Sequence, residues 1–179
     1  ARWKLSRGEI GVSWQVSNSP SVAVLLAAYN GMEWIEEQVS SILSQKSISI
    51  EIFISVDLSN DKTHEWCQGL AGKNAHVKVL PYGEKFGGAA KNFFRLIRDV
   101  DFSCFDYVAL SDQDDIWDSS KLHHAIRTIE QDSLDGYSSD VIAFWSNGRE
   151  KLVKKSFPQK KFDYFFEAAG PGCTYVLKQ

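Results

Sequence analysis

Val22-Ala23-Val24-Leu25-Leu26-Ala27-Ala28, closed by Tyr29-Asn30-Gly31, is the stretch on which the fold turns. Seven successive apolar residues without alternation suit a strand buried on both faces, and Asn-Gly then breaks it. Apolar residues at Met32, Ile35, Val39, Ile42 and Leu43 follow at helical spacing, with Asn30 and Glu33 placed like a capping box. The spacing therefore predicts a strand followed directly by a helix.

The same alternation continues outward. Ile50 to Val56 reads as a second strand ending at Asp57, and Asp61 to Leu70 as a short helix. Val77 to Leu80 is a third strand. Gly88 to Val100 is a helix expected to bury Phe93 or Phe94, Leu96, Ile97 and Val100. Tyr107 to Leu110 is a fourth strand, followed by Ser111-Asp112-Gln113-Asp114-Asp115 and a helix with Leu122, Ala125, Ile126 and Ile129 inward; Val141 to Trp145 is a fifth. Strands alternating with helices predict an α/β fold with a mainly parallel central sheet flanked by helices. In such sheets ligands bind beyond the carboxyl ends of the strands. Ala28-Tyr29-Asn30, Asp57 and Asp112 to Asp115 follow the first, second and fourth predicted strands, so they are expected at one site.

Composition bounds the rest. The 179 residues, 44% hydrophobic and 13% aromatic, suit one buried core and are short for two. Residues 1–19 lack periodicity and read as an N-terminal arm or remnant, leaving 20–179 as the folded domain. A net charge of −3 gives no broad electrostatic reason to bind nucleic acid. Cys67, Cys104 and Cys173 form neither a C-x-x-C pair nor a disulfide framework, which fits a reducing cytoplasm. The longest apolar run, Val22 to Ala28, is far short of a membrane span.

Three carboxylates within the four positions Asp112 to Asp115 repel one another unless a cation or solvent intervenes. Oxygen ligands of this kind suit Mn²⁺ or Mg²⁺, although a solvated turn capping the next helix through Asp118 or Ser119 is the plainer alternative. An EF-hand fails, because Trp117 stands where glycine is needed and His123 where the bidentate glutamate belongs. A Walker loop is absent, and Gly83, Gly87 and Gly88 do not make a dinucleotide fingerprint. The four histidines have no metal-ligand spacing. Trp117 is expected either to wall the acidic site or to pack. Lys151, Lys154, Lys155, Lys160 and Lys161 read first as a solvated loop, and second as a contact for diphosphate or lipid headgroups.

With those residues in view, the chain resembles the family 2 glycosyltransferases of GT-A fold, especially the bacterial rhamnosyltransferase-like members. The matching segments are Leu25 to Gly31, Ile54 to Thr63, Gly87 to Phe93, Ser111 to Trp117 and Gly170-Pro171-Gly172-Cys173-Thr174. The resemblance implies a Rossmann-like nucleotide-diphospho-sugar transferase fold and an inverting sugar transfer to a saccharide or lipid-linked acceptor in surface polysaccharide synthesis. It makes Asp112-Gln113-Asp114 the D-x-D motif, with Asp114 and Asp112 on the metal, and Asp112 or Asp115 orienting ribose, sugar or metal-bound water. Ala27, Tyr29, Asp57, Asp112 and Gln113 become nucleotide-sugar contacts. Small residues at Ala27 and Ala28 admit a planar ring, Tyr29 can pack on it, and Asp57 can accept the N3 hydrogen of uracil or thymine, favouring a UDP- or dTDP-linked donor.

Two stretches depart from the family pattern. Val56-Asp57-Leu58-Ser59-Asn60-Asp61 stands where a D-D-G-S-T-D-like stretch is usual, and Lys85-Phe86-Gly87-Gly88 replaces an Asn-x-Gly pattern, so Gly88 and Asn92 read first as helix-start features. In the family the general base lies beyond the Gly-Pro-Gly-Cys-Thr region, so it is expected past residue 179. Asp163 and Glu167 are the nearest acids and fit its motif poorly. The expected whole is a longer cytoplasmic enzyme, with peripheral association at the inner face of the plasma membrane. A non-catalytic nucleotide-sugar-binding module and a nucleotidyltransferase- or phosphatase-like enzyme are the alternatives.

Overall fold

The computed structural model describes residues 2–4, 19–157, 161–162 and 170–179. In chain order the elements are β1 (Arg2–Lys4), β2 (Ser21–Ala28), α1 (Ile35–Leu43), β3 (Ser49–Val56), α2 (Thr63–Ala71), β4 (Val77–Val79), α3 (Ala89–Asp99), β5 (Tyr107–Ser111), α4 (Lys121–Asp132), β6 (Gly136–Tyr137), β7 (Val141–Phe144), β8 (Glu150–Val153) and β9 (Val176–Lys178). A six-stranded sheet runs β4-β3-β2-β5-β9-β6, its first four strands parallel and β9 antiparallel to both neighbours.

Two-sided burial explains the apolar run that opens the fold. Val22, Val24 and Leu26 point to one face, where they meet Ile35, Val39 and Ile42 of α1, Cys67 of α2 and Leu122, Ala125 and Ile129 of α4. Ala23, Leu25 and Ala27 point to the other, against Leu96 of α3. The chain steps from β2 through β3 to β4 with α1 and α2 on one face. It then reverses past β2 to reach β5, and α3 covers the opposite face. The reversal makes the gap between the carboxyl ends of β2 and β5 a topological switch point, where a crevice opens.

Several expectations need correction. Val141 to Trp145 does not extend the main sheet: β7 sits in a separate antiparallel sheet of order β1-β7-β8. Arg2–Lys4, within the expected arm, forms its outer strand β1. The main sheet is completed instead by β6 and β9, two and three residues long, too short to show any periodicity. No capping box forms at α1, which starts at Ile35 without a side-chain cap. Asn30 lies in the left-handed region at φ 46°, and its Oδ1 accepts from Asn60 N at 2.9 Å instead.

Helix α3 also departs from its periodicity. Phe94 and Ile97 are exposed at 69% and 46%, whereas Asn92 and Arg95 are buried. Asn92 and Arg95 turn inward because β3 offers them polar partners: Asn92 Nδ2 donates to the Ser55 carbonyl at 2.9 Å, and Arg95 Nη1 to Ser55 Oγ at 2.9 Å. Satisfied in this way, the polar groups bear burial that they would not tolerate alone. Among the described residues, no helix is long and apolar enough to cross a membrane.

Candidate functional site

The loops after β2, β3 and β5 and the segment before α3 enclose a crevice of about 420 Å³. From β2 come Ala27, Ala28 and Tyr29; from β3, Asp57; from the segment entering α3, Lys85, Gly87, Gly88, Ala89 and Asn92; and from β5, Asp112, Gln113 and Asp114. Ala27, Tyr29, Asp57, Asp112, Gln113 and Asp114 therefore all lie on this one crevice, whereas Asp115 does not line it. Ala27 and Ala28 form a small-residue floor, and the Tyr29 ring is 53% exposed at the rim, so it is not an ordinary core aromatic.

Much of the polar chemistry here ties loops together. The Gln113 amide pairs with the Tyr29 backbone: Tyr29 N donates to Oε1 at 2.7 Å and Nε2 donates to the Tyr29 carbonyl at 2.8 Å. A Cβ at Gly31 would lie 2.3 Å from that Oε1, so glycine is what leaves room for the amide. The stretch that departs from the family pattern does similar work. Asn30 N donates to Ser59 Oγ at 3.0 Å, Gly31 N to Thr63 Oγ1 at 2.8 Å and Met32 N to Asp61 Oδ2 at 3.1 Å.

Asp57 is almost fully buried. Its carboxylate accepts from Leu58 N and Phe86 N, each at 2.7 Å, and from Gly87 N at 2.8 Å. Burial pushes its pKa up, but the backbone N–H groups of Phe86, Gly87, Leu58 and Gly88 outweigh that and hold it below the ordinary carboxylate range. An N3 hydrogen from a base must therefore compete with these donors. Tyr82 Oη reinforces the same wall by bonding both Ser59 N at 3.0 Å and the Ser59 carbonyl at 3.1 Å, and His64 stacks on its ring at 3.9 Å. Arg95 Nη2 reaches the Pro81 carbonyl at 2.5 Å and its guanidinium lies 5.1 Å from the centre of the Phe86 ring.

The acidic loop has an outer and an inner side. Asp112 and Asp114 line the crevice. Behind them Asp112, Asp115 and Cys173 bring one ligand atom each within 4.8 Å of one another. The tight grouping thus shares Asp112 with the expected metal pair but takes Asp115 in place of Asp114. Asp115 is 2% exposed, and neither carboxylate oxygen accepts a hydrogen bond from the backbone or from a cation, the Cys173 thiol being its polar neighbour. Burial raises its pKa to about 7; the Cys173 thiol lowers it, Asp112 and Asp114 push it up, and Lys121 draws it down. Asp112 is raised by burial and by Asp114, against the pull of Lys121.

The other inner groups belong to residues that sequence reasoning missed. Lys121 is 6% exposed at the start of α4. Its Nζ donates to the Cys173 carbonyl at 2.6 Å and lies 3.1 Å from the centre of the buried Trp117 ring. Burial lowers its pKa to about 7, opposed by Cys173, Asp115 and Asp112. Cys173 belongs to the Gly172–Thr174 3-10 turn, which leads into β9 and puts Gly172 beside Asp112. Burial and Asp115 push its thiol well up. In the metal-free site it is a neutral thiol, and the carboxylate oxygens beside it are the donors that suit a hard divalent cation. The carboxylates of Asp112 and Asp114 on the crevice side supply the oxygen donors that fit such an ion. His123 and His124 are exposed on α4, as expected, and Asp163, Glu167 and Lys160 lie outside the described residues.

Residues 23–172 match the sequence profile of Glycosyl transferase family 2. The chain belongs to that family. Its similarity to the dTDP-rhamnosyl transferase RfbG of Shigella flexneri is 52% identity over 155 residues, covering 86% of this chain and 54% of that protein. Glycosyltransferase GlyG of Streptococcus pneumoniae is 27% identical over 118 residues, covering 65% of this chain and 38% of that one. The family 2 chain thus spans about half the length of the first relative and less of the second. Among solved structures, S. aureus TarS 1-349 in complex with UDP-GlcNAc superposes with a TM-score of 0.66 at 19% identity, covering 88% of this chain and 45% of that chain. The mannosyltransferase PcManGT from Pyrobaculum calidifontis, in complex with GDP-Man and Mn²⁺, gives 0.62 at 17% identity, covering 90% and 45%. These likenesses bear out the GT-A fold with its mostly parallel sheet, and the rhamnosyltransferase-like family 2 resemblance.

Proposed function

We propose that this chain holds the nucleoside diphosphate of a sugar donor in the crevice beyond β2, β3 and β5, as the donor-binding part of an inverting glycosyltransferase. The observation that carries this reading is the convergence of Ala27 to Tyr29, Asp57 and Asp112 to Asp114 on one crevice at the switch point of the sheet. Ala27 and Ala28 line the crevice with side chains small enough to leave room for a base, with Tyr29 beside them. Asp57 acts chiefly through the loop it fixes, Gln113 through its grip on Tyr29, and Asp112 with Asp114 holds Mn²⁺ or Mg²⁺ at the diphosphate. When bound, the ion supplies charge neutralisation for the departing diphosphate. Similarity to RfbG supports dTDP-rhamnose as the first donor to test, with UDP-sugars next. The acceptor is a saccharide or lipid-linked saccharide of a surface polysaccharide, and the full protein works at the cytoplasmic face of the membrane.

Titration calorimetry with dTDP, UDP and GDP, with and without Mn²⁺, tests the reading on wild type, Asp112→Asn and Asp114→Asn. The expected result is metal-dependent binding of dTDP or UDP, weakened at least about tenfold by either substitution, as the loss of one charged ligand implies. Nucleotide binding that ignores both metal and substitutions refutes it.

A further inference from the structure

Lys121 presents an unusual combination. It is a buried cation with a single hydrogen-bond acceptor, the Cys173 carbonyl, packed on the Trp117 ring. Cys173 joins it to Asp115, a buried carboxylate with one oxygen within 4.8 Å of the Cys173 sulfur and of Asp112, and with no hydrogen bond from the backbone or from a cation. Neither arrangement is stable by itself, because a buried charge without a counter-charge is costly. Together they make sense: the ammonium and the inner side of the acidic loop each supply the charge the other lacks. Trp117 adds a face that attracts the cation.

We propose that Lys121 is a built-in counter-cation of the acidic loop, a positioning residue that neutralises Asp115 and the inner side of Asp112 and confines the divalent ion to the crevice side. The metal half of this statement rests on the function proposed above; the Lys121–Asp115 half does not. Two consequences follow from the charge. First, the site is less negative than its acids suggest, so Lys121 weakens metal binding while ordering the loop. Second, the ammonium ties the loop to the Gly172–Thr174 turn, whose sequence distance of 52 residues from Lys121 hides the link.

The test is a double-mutant cycle of Lys121→Gln and Asp115→Asn, followed by thermal melting at neutral pH in EDTA, with Mn²⁺ titration by calorimetry alongside. Gln keeps a donor for the Cys173 carbonyl while removing the charge and its contact with the Trp117 ring, and the double-mutant cycle isolates the part of that loss that depends on Asp115. The expected result is a Tm loss of several degrees for Lys121→Gln that shrinks by more than half in the Asp115→Asn background. Mn²⁺ should bind Lys121→Gln about tenfold more tightly than wild type, as removal of a unit positive charge several ångströms away implies. Tm losses that simply add refute the counter-cation, as does a Lys121→Gln protein that fails to fold and is not rescued by Asp115→Asn. Coupled melting without Mn²⁺ binding to any variant, wild type included, refutes the metal site and leaves the counter-cation standing. Unchanged or weaker Mn²⁺ binding by Lys121→Gln, where wild type does bind, refutes the confinement of the ion.

Discussion

Gly31→Ala isolates the cross-tie between the loops after β2 and β5. A Cβ at this position would lie 2.3 Å from Gln113 Oε1 and 2.7 Å from Gln113 Cδ, well inside contact distance. Both atoms belong to a movable side chain, so the backbone stays and the amide is expelled. Expulsion breaks the 2.7 and 2.8 Å bonds to the Tyr29 backbone. Two neutral hydrogen bonds at a partly solvated site are together worth about 1–2 kcal/mol. For a chain of this length that loss lowers Tm by about 3–6 °C. The assay is urea or thermal denaturation of Gly31→Ala, Gln113→Ala and the double mutant. Once Gln113 is truncated the clash has no partner, so Gly31→Ala should then be neutral or stabilising by about 0.4–1 kcal/mol through its effect on the unfolded chain. An equal cost in both backgrounds refutes the cross-tie and locates the need for glycine in the backbone.

Asp57→Asn should flatten the acid limb of the stability curve. Since the folded pKa lies below the unfolded one, the carboxylate's contribution is present above the ordinary value near about 4 and is lost as pH falls through the folded value; urea midpoints between pH 7 and 3 measure it. Asn92→Ala, which removes the donors to the Ser55 carbonyl and, at 3.3 Å, the Ala28 carbonyl, should cost about 1–3 kcal/mol. By contrast Phe94→Ser on the exposed side of the same helix should change stability by less than about 0.5 kcal/mol in the same denaturation assay. Tyr29→Ala should leave Tm unchanged yet weaken dTDP or UDP binding about threefold to tenfold in calorimetry, the value of one exposed ring stacked on a base; unchanged affinity removes Tyr29 from the site.

Strand β2 was legible because burial on both faces leaves an unbroken apolar run, and β3 and β5 because their runs are mostly apolar and β-branched; the structure returns Ser21–Ala28, Ser49–Val56 and Tyr107–Ser111 almost as expected. Their order then mapped the crevice through the strand-end rule alone. What stayed hidden was set by distant partners. Asp57 meets Phe86 and Gly87 across a gap of 29 and 30 residues, and Gln113 meets Tyr29 across 84. Helix α3 misled its own periodicity because Ser55, an unremarkable residue in an apolar strand, turns Asn92 and Arg95 inward. Strands β6 and β9 pair with each other from positions 40 residues apart, and no local pattern in two or three residues records that.

These hidden contacts share a direction. Residues that sequence resemblance assigns to a ligand are in large part already bonded to the protein: Gln113 to Tyr29, Asp57 to the loop before α3, and the Ser59 to Thr63 stretch to Asn30, Gly31 and Met32. Such cross-ties set the crevice walls before any nucleotide arrives and reduce the ordering cost of binding. They also explain how the chain does without the first acid and the glycine of the usual D-D-G-S-T-D stretch. Ser59, Asp61 and Thr63 bond to the backbone of the neighbouring loop, so the shape of the wall is kept although its acidic character is reduced. Asp112 and Asp114 are the other acids lining the crevice, which concentrates the electrostatic part of recognition at the strand end of β5, where Lys121 holds the opposing charge.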